Sequence, residues 1–210
     1  MYEKLPEELK KDGRFCLWKY EERNGRITKV PYQINGKKAS SADKNTFSDF
    51  RMAVNAMDDY DGIGMGAFDD FCMVDIDHCV CGGKLTRMAE DIIEKMDSYT
   101  EISPSGTGVR IVCKASSLFY DRSRYYINNS KIGLEIYAAG VTKKFCTLTG
   151  NAIRNCGVEE RSGQLGIILE TYMLRPIPKE KDREQDIPGS YLSDDSVVRL
   201  ASDSLSLIHI

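Results

Sequence analysis

Apolar and polar positions alternate with period two in several short stretches and recur at helical spacing in three others, so strands and helices are interleaved along this chain. Residues 14–20 (RFCLWKY) and 27–33 (ITKVPYQ) predict two strands joined by a polar turn at Asn24-Gly25. Phe47, Phe50, Ala53, Val54 and Met57 share one face of a short helix. GIGMGAF (62–68) and FCMVDID (71–77) predict two strands separated by a turn at Asp69-Asp70. Met88, Ala89, Ile92, Ile93 and Met96 then form the apolar stripe of a helix over 85–96. Tyr99–Ile102, a loop over 103–108 and the apolar strand VRIVC from Val109 follow, and the polar stretch 116–131 predicts a long loop. GLEIYAAG and KKFCTLTG predict two more strands around Gly140, and Gln164–Leu174 a last helix. Elements mixed in this way, without strict βαβ order, predict an α/β (α+β) fold with helices packed on a sheet.

Residues 175–189 (RPIPKEKDREQDIPG) are charged, carry prolines and lack an apolar stripe, which marks a linker. The chain is therefore read as a domain over 1–174, a charged linker over 175–189 and, over 190–204, the start of a helical domain cut short. Ser193 is the N-cap candidate of that start, with Asp194 and Asp195 in its first turn. The last six residues, 205–210 (LSLIHI), match the translated end of a transposon adapter and are read as a non-native tail.

Composition adds little: 41% hydrophobic and 29% charged residues are ordinary for a soluble domain. No apolar run reaches the roughly 20 residues that span a bilayer, so no membrane partner is expected. Seven cysteines, an odd number, suit a reducing interior and a cytoplasmic protein, bacterial or phage-encoded. The net charge of −3 does not announce a nucleic-acid binder. Basic residues crowd 10–38 and acidic ones 58–77, a pattern that fits a cation site beside a phosphate-binding surface and equally two solvated faces.

Three places can carry chemistry. Asp75 and Asp77 close an apolar strand, and residues two apart point the same way. Two such carboxylates repel unless a cation sits between them, and magnesium or manganese favours oxygen ligands; two solvated acids at a strand end have the same spelling. Ser103–Arg110 (SPSGTGVR) is the second. Its glycines let the backbone approach a ligand, Ser105 and Thr107 add hydroxyls, and Arg110 offers a bidentate grip on a triphosphate. Glu135 is the third, a single acid between apolar neighbours on a strand, where an unpaired carboxylate is expensive.

In this order the three resemble the archaeo-eukaryotic primase superfamily, and more closely the primase-polymerases of phages, plasmids and integrated elements. That family's acidic pair is matched by Asp75 and Asp77, its small-x-His motif by Gly108, Val109 and Arg110, and its final acid by Leu134-Glu135. Thr28–Tyr32, Ser98–Glu101 and Phe145–Gly150 are also similar, so the resemblance covers roughly 14–155. Arg110 stands where the superfamily usually has histidine. It keeps a phosphate-binding role but cannot titrate near neutrality.

The resemblance implies a mixed, largely antiparallel sheet with packed helices, the RRM-like catalytic core of a DNA primase/polymerase. It implies two divalent ions, Mg2+ or Mn2+, held by the catalytic acids Asp75, Asp77 and Glu135. Nucleotide contacts fall to Ser105, Gly106, Thr107, Gly108 and Arg110, with Lys29, Lys143 and Lys144 as further candidates. The expected partners are a single-stranded DNA template, nucleoside triphosphates and a helicase domain or protein downstream. Tyrosines and arginines of 120–126 are candidate template contacts, although a solvated loop suits them better. The competing reading is an inactive replication-initiator or single-stranded-DNA-binding module.

Overall fold

The computed structural model describes residues 2–176; all but the first two residues of the linker, the helical start at 190–204 and the tail at 205–210 lie outside the described residues. In chain order the elements are α1 (Glu7–Asp12), β1 (Phe15–Arg23), β2 (Arg26–Tyr32), α2 (Phe50–Asn55), β3 (Gly62–Gly66) and β4 (Phe71–Ile76). A two-stranded hairpin, β5 (Val80–Cys81) and β6 (Lys84–Leu85), precedes α3 (Arg87–Met96) and β7 (Thr100–Ile102). Next come β8 (Val109–Lys114), β9 (Asn128–Asn129), β10 (Leu134–Tyr137), β11 (Phe145–Thr147), β12 (Ala152–Arg154) and α4 (Ser162–Tyr172).

Local chemistry explains the boundaries. Asn24 and Gly25 both take positive φ, 52° and 73°, as a tight hairpin turn requires, and they join β1 to β2. The Asp49 carboxylate accepts the amide of Met52 at 2.9 Å and starts α2; Thr86 caps α3 in the same way. Helix α3 ends where Asp97 turns left-handed, at φ 36°.

The named strands pair antiparallel in two main sheets, and the α+β expectation holds. One has the order β11-β3-β1-β2, the other β12-β7-β8-β4-β10-β9. Neighbours in sequence therefore part company: β3 and β4 lie in different sheets, as do β10 and β11. The six-stranded sheet is buried on both faces. Cys72, Val74 and Ile76 of β4, Val109, Ile111 and Cys113 of β8, and Leu134 and Ile136 of β10 pack with Ile92, Ile93 and Met96 of α3 and Leu165, Ile168 and Leu169 of α4. The opposite face, with Met73, Val112 and Tyr137, packs with Phe15, Leu17, Ile63 and Met65 of the other sheet. Each fully buried Leu or Ile in these layers contributes about 1.5–3 kcal/mol over its exposed state.

The period-two reading of β4 is thus realised. Its even residues face the helices, and its odd residues face the second sheet, ending in Asp75.

Candidate active site

Strand register turns single acids into a row. Asp75 stands directly opposite Arg110 on one side and Glu135 on the other; Arg110 in turn opposes Glu101, and Glu135 opposes Asn128. Directly opposed residues of antiparallel strands share a face. Glu101, Arg110, Asp75, Glu135 and Asn128 therefore cross five strands as one polar row. Two residues further in, Met73 and Val112 pair in the same way and are fully buried. The site sits where the layer between the sheets stops being apolar.

A cavity of about 350 Å³ opens over this row, lined by Lys29, Ser41, Asp75, Asp77, Arg110 and Glu135, with Tyr137, Lys144 and Phe145–Thr147 completing its wall. Asp75 is 7% exposed and needs its charge answered. Arg110 donates from Nε to Oδ1 at 3.3 Å, and the Tyr137 hydroxyl donates to Oδ2 at 3.1 Å. Arg110 is itself buried and donates through Nη1 to the Thr147 carbonyl at 2.6 Å and to the Thr147 hydroxyl. These bonds tie Asp75 to β11 through Nε and Nη1. Glu135 accepts from Asn128 and pairs with Lys144 at 3.5 Å.

Asp77 differs. It lies at the exposed rim, and its carboxylate has no hydrogen-bond or ion-pair partner among the described residues. Partial burial raises its pKa above the usual carboxylate range, and the charge of Asp75 raises it further. Lys29 is half-buried, and burial followed by the charge of Arg110 lowers its pKa. Two glycines clamp the backbone beneath Asp77. A Cβ at Gly108 would meet the Ile76 carbonyl at 2.7 Å, and one at Gly133 the Asp77 carbonyl at 2.9 Å.

Of the residues expected from sequence, Asp75, Asp77, Glu135, Arg110, Lys29 and Lys144 meet at this cavity. Ser105, Gly106, Thr107, Gly108 and Lys143 do not line it. The hydroxyls of Ser103, Ser105 and Thr107 bond one another at 3.0 Å, and the Gly108 amide donates to Ser103 Oγ at 3.1 Å, so the loop is folded on itself. Lys143 presents its carbonyl to the Ser41 hydroxyl at 2.7 Å. Ser41 and Thr147 escaped sequence reasoning because each reaches the site through contacts between distant segments, whereas Tyr137, two residues beyond Glu135 on the same strand face, was open to the period-two argument. The 120–126 tyrosines are packed rather than solvated: Tyr120 donates to the Tyr126 carbonyl, and Tyr125 donates to Glu170 of α4.

Among the described residues no group of three or more His, Cys, Asp or Glu side chains is gathered tightly enough to hold a metal ion. The donor chemistry nevertheless suits a hard cation. Asp75 and Asp77 are oxygen donors at one cavity, and Asp77, which has no partner among the described residues, has its charged form disfavoured by partial burial and then by the charge of Asp75.

No family model matches the chain. It is 32% identical over 149 residues to the DNA primase-polymerase of Nitratiruptor phage NrS-1, an alignment covering 68% of this chain and 20% of that protein. The chain thus spans about a fifth of the length of this relative.

Proposed function

The chain belongs to the primase-polymerase family, and from that premise we propose that residues 1–174 form a template-dependent nucleotidyltransferase, the catalytic domain of a mobile-element replication protein. The observation that supports this most is the cross-strand row, which turns Asp75, Glu135 and Arg110 toward one cavity that Asp77, Lys29 and Lys144 also line. Acids for cations and cations for phosphates in one small space suit a nucleoside triphosphate better than any uncharged substrate.

In the proposed reaction the 3′-oxygen of the growing strand bonds to the α-phosphorus, the bond to the pyrophosphate oxygen breaks, and the hydroxyl proton leaves to solvent. Asp75, Asp77 and Glu135 are the residues that would hold Mg2+ or Mn2+, which when bound neutralises the triphosphate and favours the developing charge. Arg110 fixes Asp75 through Nε, and in this reading its Nη2 would donate to a phosphate oxygen. Lys29 and Lys144 balance the remaining phosphate charge, and Ser41 adds a hydroxyl at the wall. The domain boundary at 174, the linker and a downstream helicase partner belong to the same proposal.

The test is incorporation of labelled nucleotide on primed and unprimed single-stranded DNA, with magnesium or manganese, beside an Asp75→Ala/Asp77→Ala control. Incorporation lost in the control supports the polymerase, and product on the unprimed template makes it a primase. Folded protein that binds template yet incorporates nothing with either metal supports the binding-module reading instead.

A further inference from the structure

A second cavity, about 870 Å³, adjoins the acidic one and is larger than it. The two share a wall. Thr147 lines the acidic cavity and Leu148 the second; Lys29 lines the first, while Trp18, 5.8 Å from its ammonium, lines the second. Behind this wall the buried Glu101 accepts the amides of Thr149 and Gly150 at 2.8 and 2.9 Å, which fixes the loop that floors the second cavity.

The β1–β2 hairpin supplies an unusual surface beside it. Register sets Tyr20 opposite Lys29, Trp18 opposite Pro31 and Glu22 opposite Ile27, so Trp18, Tyr20, Ile27 and Lys29 share one face. Tyr20 is 49% exposed and Ile27 74%, on strands where an apolar residue gains nothing from facing water. Trp18 stands edge-on to Tyr20 at 5.0 Å and holds that ring in place, while the Asp61 carboxylate accepts the Tyr20 amide at 2.7 Å.

We propose that this aromatic face and the cavity beneath it receive unpaired bases of the single-stranded DNA template on its way to the acidic site, an inference that rests on the nucleotidyltransferase reading. Charge favours a base here over a phosphate, because Glu3 and Asp61 line the cavity against Lys4 alone. The exposed ring offers the sequence-tolerant stacking that a template strand needs. Continuity favours a strand over a lone nucleoside, since Lys29 joins the stacking face to the acidic cavity and can take the intervening phosphate. The tyrosines at 120–126 are already engaged, Tyr120 with the Tyr126 carbonyl and the buried Tyr125 with Glu170 of α4.

The chain has one tryptophan, Trp18, so its fluorescence reports on this cavity. A single-stranded oligodeoxynucleotide titrated into the full chain, without metal or nucleotide, is expected to quench that emission. Tyr20→Ala should weaken binding roughly tenfold and Tyr20→Phe by less than about twofold. Ile27→Asp, at a solvent-exposed position where folding is not at stake, should weaken it as well. Absence of binding by the wild-type chain, unchanged affinity in both Tyr20→Ala and Ile27→Asp, or equal competition by a duplex of the same length would overturn the proposal. The reading it rests on is judged separately. Binding through Tyr20 without any incorporation upholds this surface and removes the polymerase. Incorporation by the wild-type chain with undiminished binding in Tyr20→Ala does the reverse.

Discussion

Asp75 and Glu135 face each other in register across β4 and β10, and each is answered by a cation from a different direction, Arg110 on β8 and Lys144 beside β11. The two pairs are not equal. In the Arg110–Asp75 pair both side chains are nearly buried, whereas the Lys144 side chain is 43% exposed. An exposed pair contributes little, but a buried carboxylate that loses its partner is strongly destabilising.

Arg110→Met should therefore lower stability by about 3–5 kcal/mol, read as a fall in the urea midpoint. Lys144→Met should lower it by less than about 1 kcal/mol. Adding Asp75→Asn to Arg110→Met should recover part of the loss, because the orphaned charge goes too. Equal effects from Arg110→Met and Lys144→Met would show that Asp75 does not depend on Arg110.

The glycines beneath Asp77 test how tightly the site is positioned. Gly108→Ala and Gly133→Ala each drive a methyl group into a main-chain carbonyl, and Gly133 also sits at φ 66°. Each should destabilise by about 1–3 kcal/mol. Both should lower nucleotide incorporation more than stability alone explains, since the backbone they displace carries Asp77. Gly163→Ala on α4, with no atom near its added methyl group, is the control and should raise stability slightly.

Glu101 gives a pH signature. It is fully buried, and burial raises its pKa despite the opposing amides of Thr149 and Gly150. Between the unfolded and the raised folded value, the native protein keeps a proton that the unfolded chain has released. Stability from this group is therefore complete below the unfolded value, about 4.3, and falls as pH rises through the folded one. In Glu101→Gln an amide NH2 replaces an acceptor facing N–H donors, at a cost of about 1–3 kcal/mol. The urea midpoint of the wild-type chain should exceed that of the variant most at low pH, and the gap should narrow as pH rises. A gap that widens with pH would mean that Glu101 is ionised and stabilising.

That Asp75 and Glu135 each point away from their apolar neighbours was legible, because only one strand orientation buries Val74, Ile76, Leu134 and Ile136. That the two share one face is set by the register of β10 on β4, which no local pattern gives. Sheet membership was not legible either. FCMVDID follows GIGMGAF across a two-residue turn, yet Asp69 and Asp70 carry no signal that sends the two strands to different sheets. The glycine loop illustrates a second limit. Its composition fits an anion nest, but the hydroxyl groups that would serve a ligand bond one another instead. The bond from Arg110 to Thr147 joins residues 37 apart, and no local pattern announces it. Strands β5 and β6, two residues each, are too short to show any period.

Asp77 is the residue whose gain and loss of function should oppose each other. Its carboxylate has no partner among the described residues, and partial burial, then the charge of Asp75, raises its pKa, so without metal the ionised form is disfavoured. Asp77→Asn keeps the shape and removes the repulsion from Asp75. In chelator the variant should melt at or slightly above the wild-type temperature, a sign opposite to that expected of Arg110→Met. Adding Mg2+ or Mn2+ in excess should raise the melting temperature of the wild-type chain, because an ion that binds only the folded state stabilises it by mass action. The same addition should move Asp77→Asn far less, and incorporation by the variant should fall to background. A wild-type melting temperature that ignores both metals would remove the acidic pair as a cation site, whatever the incorporation assay shows.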